Sequence, residues 1–141
     1  MVFWEKYKPI SKLKLKSIVM CAVRWEDKNV LFCGCHSGGI LTVNIGPKKI
    51  FIEKESSHKH IVRNIVMLQQ KQLASIDVIG TIITWQPYID SVRKLQTIAV
   101  NAGVGYNSFI AVHEIPLLCL ASRNQELVFF QSKPLVEVAR C

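Results

Sequence analysis

Apolar and polar residues alternate with a period of two along most of this chain, in short runs closed by polar turns. That period belongs to β-strands, whose successive side chains point to opposite faces. It divides the sequence into strands near 18–25, 30–35, 40–45 and 49–53, then 61–68, 72–76, 81–86 and 94–100, then 108–113, 117–122, 126–131 and 134–139. The intervening stretches hold turn formers: Glu26-Asp27-Lys28-Asn29, His36-Ser37-Gly38-Gly39 and Gly46-Pro47-Lys48-Lys49, then Gln69-Gln70-Lys71 and Val78-Ile79-Gly80. Pro87 cannot donate to a ladder and closes its strand, and Gly103-Val104-Gly105 is a flexible joint. On the first strand of each group, alternation predicts a shared inward set: Val23 and Trp25, Ile65 and Met67, Ile110 and Val112. Residues 56–71 also contain good helix formers, but the β-branched cluster Ile61, Val62, Ile65 and Val66 favours strand.

The groups repeat. Leu73-Ala74-Ser75-Ile76-Asp77-Val78-Ile79-Gly80-Thr81-Ile82-Ile83-Thr84-Trp85 has a weaker copy beginning at Leu31, 42 residues earlier, and another beginning at Leu118, 45 residues later. Repeats of this size are the mark of β-sheet units stacked in series.

The central unit resembles a WD40 repeat, through His58 or His60, Ile61-Val62-Arg63-Asn64-Ile65-Val66, Leu73-Ala74-Ser75, Gly80, Thr81-Ile82 and Trp85. It departs from the family pattern where Gln86 follows Trp85 in place of Asp and where Ile79 occupies the turn-acid position. In the first unit Val43-Asn44 and Ser37 replace these signatures, and in the third Phe130-Gln131 and Asn124 do. The family's buried His, Ser, Asp, Trp hydrogen-bond network is therefore expected to be absent or partial in every unit. The resemblance implies an all-β fold: a WD40-like β-propeller fragment of three four-stranded antiparallel blades in an open arc, over about 18–53, 61–100 and 107–139. Residues 1–16 form a basic N-terminal segment, in which Lys12-Leu13-Lys14-Leu15-Lys16 alternates like the outer strand of a missing blade. By family analogy His60, Ser75, Trp85, Trp25 and Phe130 are structural. The ends of first strands and the second-to-third-strand turns are the binding positions, here Arg63, His36, Ser37, Asp77, Arg123 and Asn124.

With 141 residues, half of them apolar, the chain is long enough for one domain with a sizeable core. It contains no apolar run long enough to cross a bilayer and does not open like a signal peptide, so the expected location is intracellular, cytoplasmic or nuclear, without membrane contact. Cysteines 21, 33, 35, 119 and 141 are odd in number and three fall in strands, which fits reduced, buried thiols. The formal charge of +8 is concentrated at Lys6, Lys8, Lys12, Lys14 and Lys16, interleaved with Trp4 and Tyr7. Such a segment suits phosphates and stacked bases, and it equally suits a sheet edge guarded against aggregation.

No chemistry emerges from the motifs. Cys33-Gly34-Cys35-His36 lacks the second ligand pair that a structural zinc site needs. Cys119 and His113 carry no nucleophile signature, and there is no phosphate loop or paired-carboxylate motif. No catalytic residue, metal or cofactor is expected. The reading is a non-catalytic protein–protein interaction scaffold or adaptor within a multi-subunit complex. The alternative is a nucleic-acid or ribonucleoprotein-associated protein using the lysine-rich N-terminus.

Overall fold

The computed structural model of the chain describes residues 2–5, 8–12, 14–45, 51–53, 57–69, 71–100, 105–112 and 114–141. A two-stranded sheet comes first, β1 (Val2–Glu5) paired with β2 (Lys8–Lys12). Three four-stranded sheets follow. The first holds β3 (Val19–Trp25), β4 (Val30–Cys35), β5 (Ile40–Asn44) and β6 (Phe51–Glu53). The second holds β7 (Val62–Met67), β8 (Leu73–Asp77), β9 (Thr81–Pro87) and β10 (Val92–Ala99), and the third β11 (Tyr106–Ala111), β12 (Leu117–Ser122), β13 (Leu127–Ser132) and β14 (Leu135–Arg140). Each is an antiparallel meander in sequence order, and one 3₁₀ turn at Glu26–Lys28 joins β3 to β4.

The sheets stack face to face because each carries apolar residues on both faces. Val30, Phe32 and Ile40 of the first sheet, with Val23 and Trp25, meet Ile65, Leu73, Ile83 and Trp85 of the second. On the second sheet's other face Ala74, Ile76 and Ile82 meet Phe109, Leu118, Leu120, Val128 and Phe130 of the third. Each sheet thus has a rear face toward the sheet before it and a forward face toward the one after. The rear face of the first sheet buries Cys33, Cys35, Leu41 and Val43, with Leu15 and Val19 packed against them. Lys14 to Lys16 lie outside any strand. The strand of this region is Lys8–Lys12, which pairs with β1, while Leu15 turns onto the rear face.

A bulge recurs at one place in every first strand: between Val19 and Cys21, Val62 and Asn64, Tyr106 and Ser108. It inserts a residue and resets the alternation beyond it. Pairing across β3–β4, β7–β8 and β11–β12 makes Val23, Val66 and Ile110 equivalent, facing forward, while Ile65 and Phe109 face the rear. The shared inward set read from the sequence is corrected here. Ile65 and Met67 point back at Val23 and Trp25 instead of matching them, and Val66 and Leu68 are the true counterparts. Ile110 is 52% exposed, because among the described residues no sheet covers the third forward face.

Polar clips hold the sheets in phase. Turn amides return to the lead-in of their own sheet, His36 to Ile18, Val78 to Ile61 and Arg123 to Gly105, at 2.8, 3.0 and 2.8 Å. The lead-in to the second sheet then donates to the turn glycine of the first, His58 N–H to the Gly38 carbonyl at 3.2 Å, and within the second sheet Val100 N–H, just beyond β10, donates to the Gly80 carbonyl at 3.0 Å. Gly38 and Gly80 have φ of 91° and 97°, left-handed conformations that favour glycine. Between first strands, Asn64 Nδ2 donates to the Phe109 carbonyl at 2.9 Å.

The first and second sheets approach closely at Gly34, where a Cβ would strike Val62 and come within 2.6 Å of Cys21 Sγ. Gly34→Val should therefore lower the urea-unfolding free energy by about 1–3 kcal/mol through overpacking. Ala22→Val, on an exposed position of the adjacent strand, should stay within about 0.5 kcal/mol of the parent.

Candidate interaction surface

The central sheet contains a closed polar array. Trp85 Nε1–H donates to Ser75 Oγ at 2.8 Å, and Ser75 Oγ lies 2.7 Å from His58 Nε2. His58 Nδ1 lies 3.2 Å from Asp77 Oδ2. Asp77 Oδ1 accepts the backbone N–H groups of Ile79 and Thr81 at 3.0 and 2.9 Å. Since indole N–H can only donate, the Ser75 hydroxyl donates onward to Nε2, and Nδ1 carries the proton that reaches Asp77. One continuous chain runs from the third strand through the second to the lead-in and the turn.

This corrects the expected network in two respects. It is complete in the central unit, and its histidine is His58, buried, whereas His60 is exposed. The acid is Asp77 at the end of β8, two residues before Ile79. Its counterparts in the outer sheets are Cys35 and Ser122, so Ser37 and Asn124 are not the substitutes. Ser122 Oγ repeats half of the motif, accepting N–H from Asn124 and Glu126 at 3.2 and 3.4 Å. In the first sheet Cys33, Cys35 and Val43 replace the array with an apolar cluster.

The connectivity Ser75–His58–Asp77 is that of a nucleophile triad, yet its burial gives it another role. All three side chains are buried, and Ser75 Oγ already bonds Trp85 Nε1–H and His58 Nε2. A substrate cannot reach Oγ, and the array acts as a rivet. Burial lowers the His58 pKa below its ordinary 6.5. For Asp77 burial works in the opposite direction, and the N–H groups of Thr81 and Ile79 together with His58 overcome it and hold the carboxyl below 3.8. At neutral pH the pair is a neutral imidazole on a carboxylate. Burial likewise raises the Cys21 and Cys33 thiols to about 11 and about 12, which keeps them protonated. Among the described residues no three His, Cys, Asp or Glu side chains cluster as metal ligands.

The clips place the second-to-third-strand turns and the lead-ins on one rim. His36, Ser37, His60, Arg63, Arg123 and Asn124 are exposed there, while Asp77 is 1% exposed and lies beneath the rim as the turn's anchor. Arg63 stands over the Tyr106 ring, 5.4 Å from its centroid. Arg123 lies across the neighbouring Gly105, where an added Cβ would come within 3.1 Å of its side chain. Two guanidinium groups thus flank one seam between the second and third sheets. The exposed turn residues Val78 and Ile79 complete this surface above the buried Tyr106; apolar side chains in a turn were the sequence signal for them. Trp25 is half-buried, and Phe130, Ser75 and Trp85 are buried. At the opposite rim the first strands diverge around a cleft of about 680 Å³, lined by Trp25, Met67 and Val112 and edged by Arg24, Lys71 and Glu114.

No family model matches the sequence, and no curated protein does. Solved structures do. U3-55K superimposes over 92% of this chain and 40% of its own with a TM-score of 0.74 at 16% identity. The RRP9 WD40 repeats cover 91% and 39% with a TM-score of 0.73 at 16% identity. The β-propeller domain of Myceliophteria thermophila Cps50 (Swd1) covers 89% and 43% with a TM-score of 0.75 at 12% identity. The fold is that of WD40 propeller blades. The chain spans about two-fifths of the length of these three propellers, and its three sheets are three blades in an open arc.

Two outcomes test the rivet. Trp85→Ala removes a side chain only 1% exposed and should lower unfolding free energy by about 3–5 kcal/mol in urea titrations. In His58 and Asp77 the folded state binds protons less readily than the unfolded state, so stability falls as pH falls, the His58 part setting in below about 6.5. Melting temperature should drop between pH 7.5 and 5.5, and His58→Gln should start lower at pH 7.5 and show a flatter dependence.

Proposed function

We propose that this chain is a non-catalytic protein–protein interaction scaffold that works inside a larger, intracellular complex. The observation that carries the reading is the rim. Rigid blades hold Arg63, Arg123, His36, Ser37 and Asn124 in solvent, positioned by backbone clips and by the buried array beneath. A platform of fixed strands with ligand-facing turns is a binding design, since loops on a scaffold carry recognition. The paired guanidinium groups at the Tyr106 seam suit a partner that presents carboxylates there, which arginine can take bidentately. Asp77 supports the turn from below and makes no partner contact. Its neighbours Val78 and Ile79 supply apolar contact beside the arginines.

Arg63→Ala with Arg123→Ala should weaken retention of the native partners at least tenfold in co-purification from native extract, while melting temperature stays within a few degrees of the parent. Unchanged retention would remove the rim from the reading. The alternative, nucleic-acid binding, draws on Lys6, Lys8, Lys12, Lys14 and Lys16, of which Lys14 and Lys16 are exposed. Neutralising the five to Gln should leave affinity for single-stranded RNA low and little changed at roughly 0.15 M salt. Tight binding there, with a salt slope that flattens by several units in the variant, would give the alternative precedence.

A further inference from the structure

On the rim of the first blade two hydroxyls meet. Ser17 Oγ–H donates to Ser37 Oγ at 3.1 Å in an exposed bond, beside the clip from the His36 N–H to the Ile18 carbonyl. Their position does not depend on what borders the first blade. Strand pairing sets Val19 against Cys35 as it sets Val62 against Asp77, so Lys16 and Ser17 correspond to Lys59 and His60 of the second blade. Lys59 and His60 are exposed although that blade is covered on both faces. A lead-in at this level faces solvent whether or not a neighbouring sheet is present.

The lead-in also carries charge in a definite arrangement. Ser11, Ser17, Ser57 and Thr97 each follow a lysine by three residues, and of these only Ser17 has a second lysine, Lys16, directly before it. Ser11 and Thr97 lie inside β2 and β10 with their backbone held in sheet pairing, and Glu55 places an acid two residues before Ser57. Residues 14–18, by contrast, lie outside any strand. Leu15 anchors the segment on the rear face, and Lys14 and Lys16 stand exposed on either side of it. No ion pair among the described residues engages either lysine. Exposed, irregular backbone is where enzymes that act on a chain gain access, and two unpaired cations there suit an enzyme whose cleft is acidic.

We propose that Ser17 is a phosphorylation site, modified by a protein kinase that selects lysine on the amino-terminal side of its acceptor. In the transfer, the kinase's catalytic carboxylate takes the hydroxyl proton and Ser17 Oγ bonds to the γ-phosphorus of ATP. The bond from that phosphorus to its bridging oxygen breaks, and ADP leaves. The product carries a charge of roughly −1.5 to −2 at neutral pH in place of a neutral hydroxyl. It offsets Lys14 and Lys16 together, and so removes from this lead-in the positive charge on which nucleic-acid binding would draw. The proposal stands apart from the scaffold reading, since it needs no ligand on the rim.

The full chain incubated with magnesium ATP and the catalytic fragment of protein kinase C tests it. A single phosphate per chain is expected, placed on Ser17 by tandem mass spectrometry. Ser17→Ala should lower incorporation at least tenfold, whereas Ser11→Ala should leave it unchanged. Lys14→Gln with Lys16→Gln should lower kcat/KM at least tenfold while melting temperature stays that of the parent. Incorporation chiefly on another hydroxyl, or a rate indifferent to the two lysines, would overturn the proposal. So would a folded chain that stays unmodified while a peptide of residues 12–20 accepts phosphate, because the fold would then be hiding the hydroxyl. Failure of both chain and peptide to accept phosphate would overturn it as well.

Discussion

A β-sheet with apolar residues on both faces is stable in water only when both faces are covered, and every feature of this molecule answers to that requirement. The three blades cover one another in sequence, each forward face receiving the next rear face, with Trp25 and Phe32 meeting Trp85 at the first seam and Ile76 and Ile82 meeting Phe130 at the second. Burial of these large side chains supplies the driving force. The polar array and the clips add position rather than bulk, since they fix where each turn sits against its neighbour.

The blades meet the requirement by different chemistry at the same site. The central blade uses a charged, fully paired array, the third a serine that satisfies the turn amides alone, and the first a cluster of thiols and aliphatics. Paired polar groups in a buried site specify geometry and unpaired ones are heavily penalised, so the third blade, which keeps half of the motif, pairs its serine with the turn amides. The outer blades shed the histidine and the acid together. The central blade, flanked on both faces, keeps both.

The fold class was legible in the sequence because the apolar skeleton repeats, with β4, β8 and β12 as short apolar runs closed by polar turns at a near-constant spacing. The phase of the first strands was not. The connection from first to second strand is one residue longer in the second sheet (68–72) than in the first (26–29), which shifts the register by one, so Ile65 and Met67 read as forward residues when they face the rear. The array was misread for a related reason: His58 and His60 have the same chemistry two residues apart, and only the clip to Gly38 sets which one turns inward. Asp77 was visible as a turn residue, but its depth below the rim depends on the amides of Ile79 and Thr81, which sequence does not display. The pairing of Arg63 with Tyr106 spans two blades and was beyond a reading made one repeat at a time.

The hydrogen bond from His58 to Gly38 crosses the boundary at which the first and second repeats divide. A turn in one blade is finished by backbone that the repeat assigns to the next. Cutting the chain at the sequence boundary would therefore strip the Gly38 carbonyl of its donor and release the turn that presents His36 and Ser37. The module that could be excised or transplanted intact is out of step with the module that was duplicated, and it ends only after the following lead-in has been included.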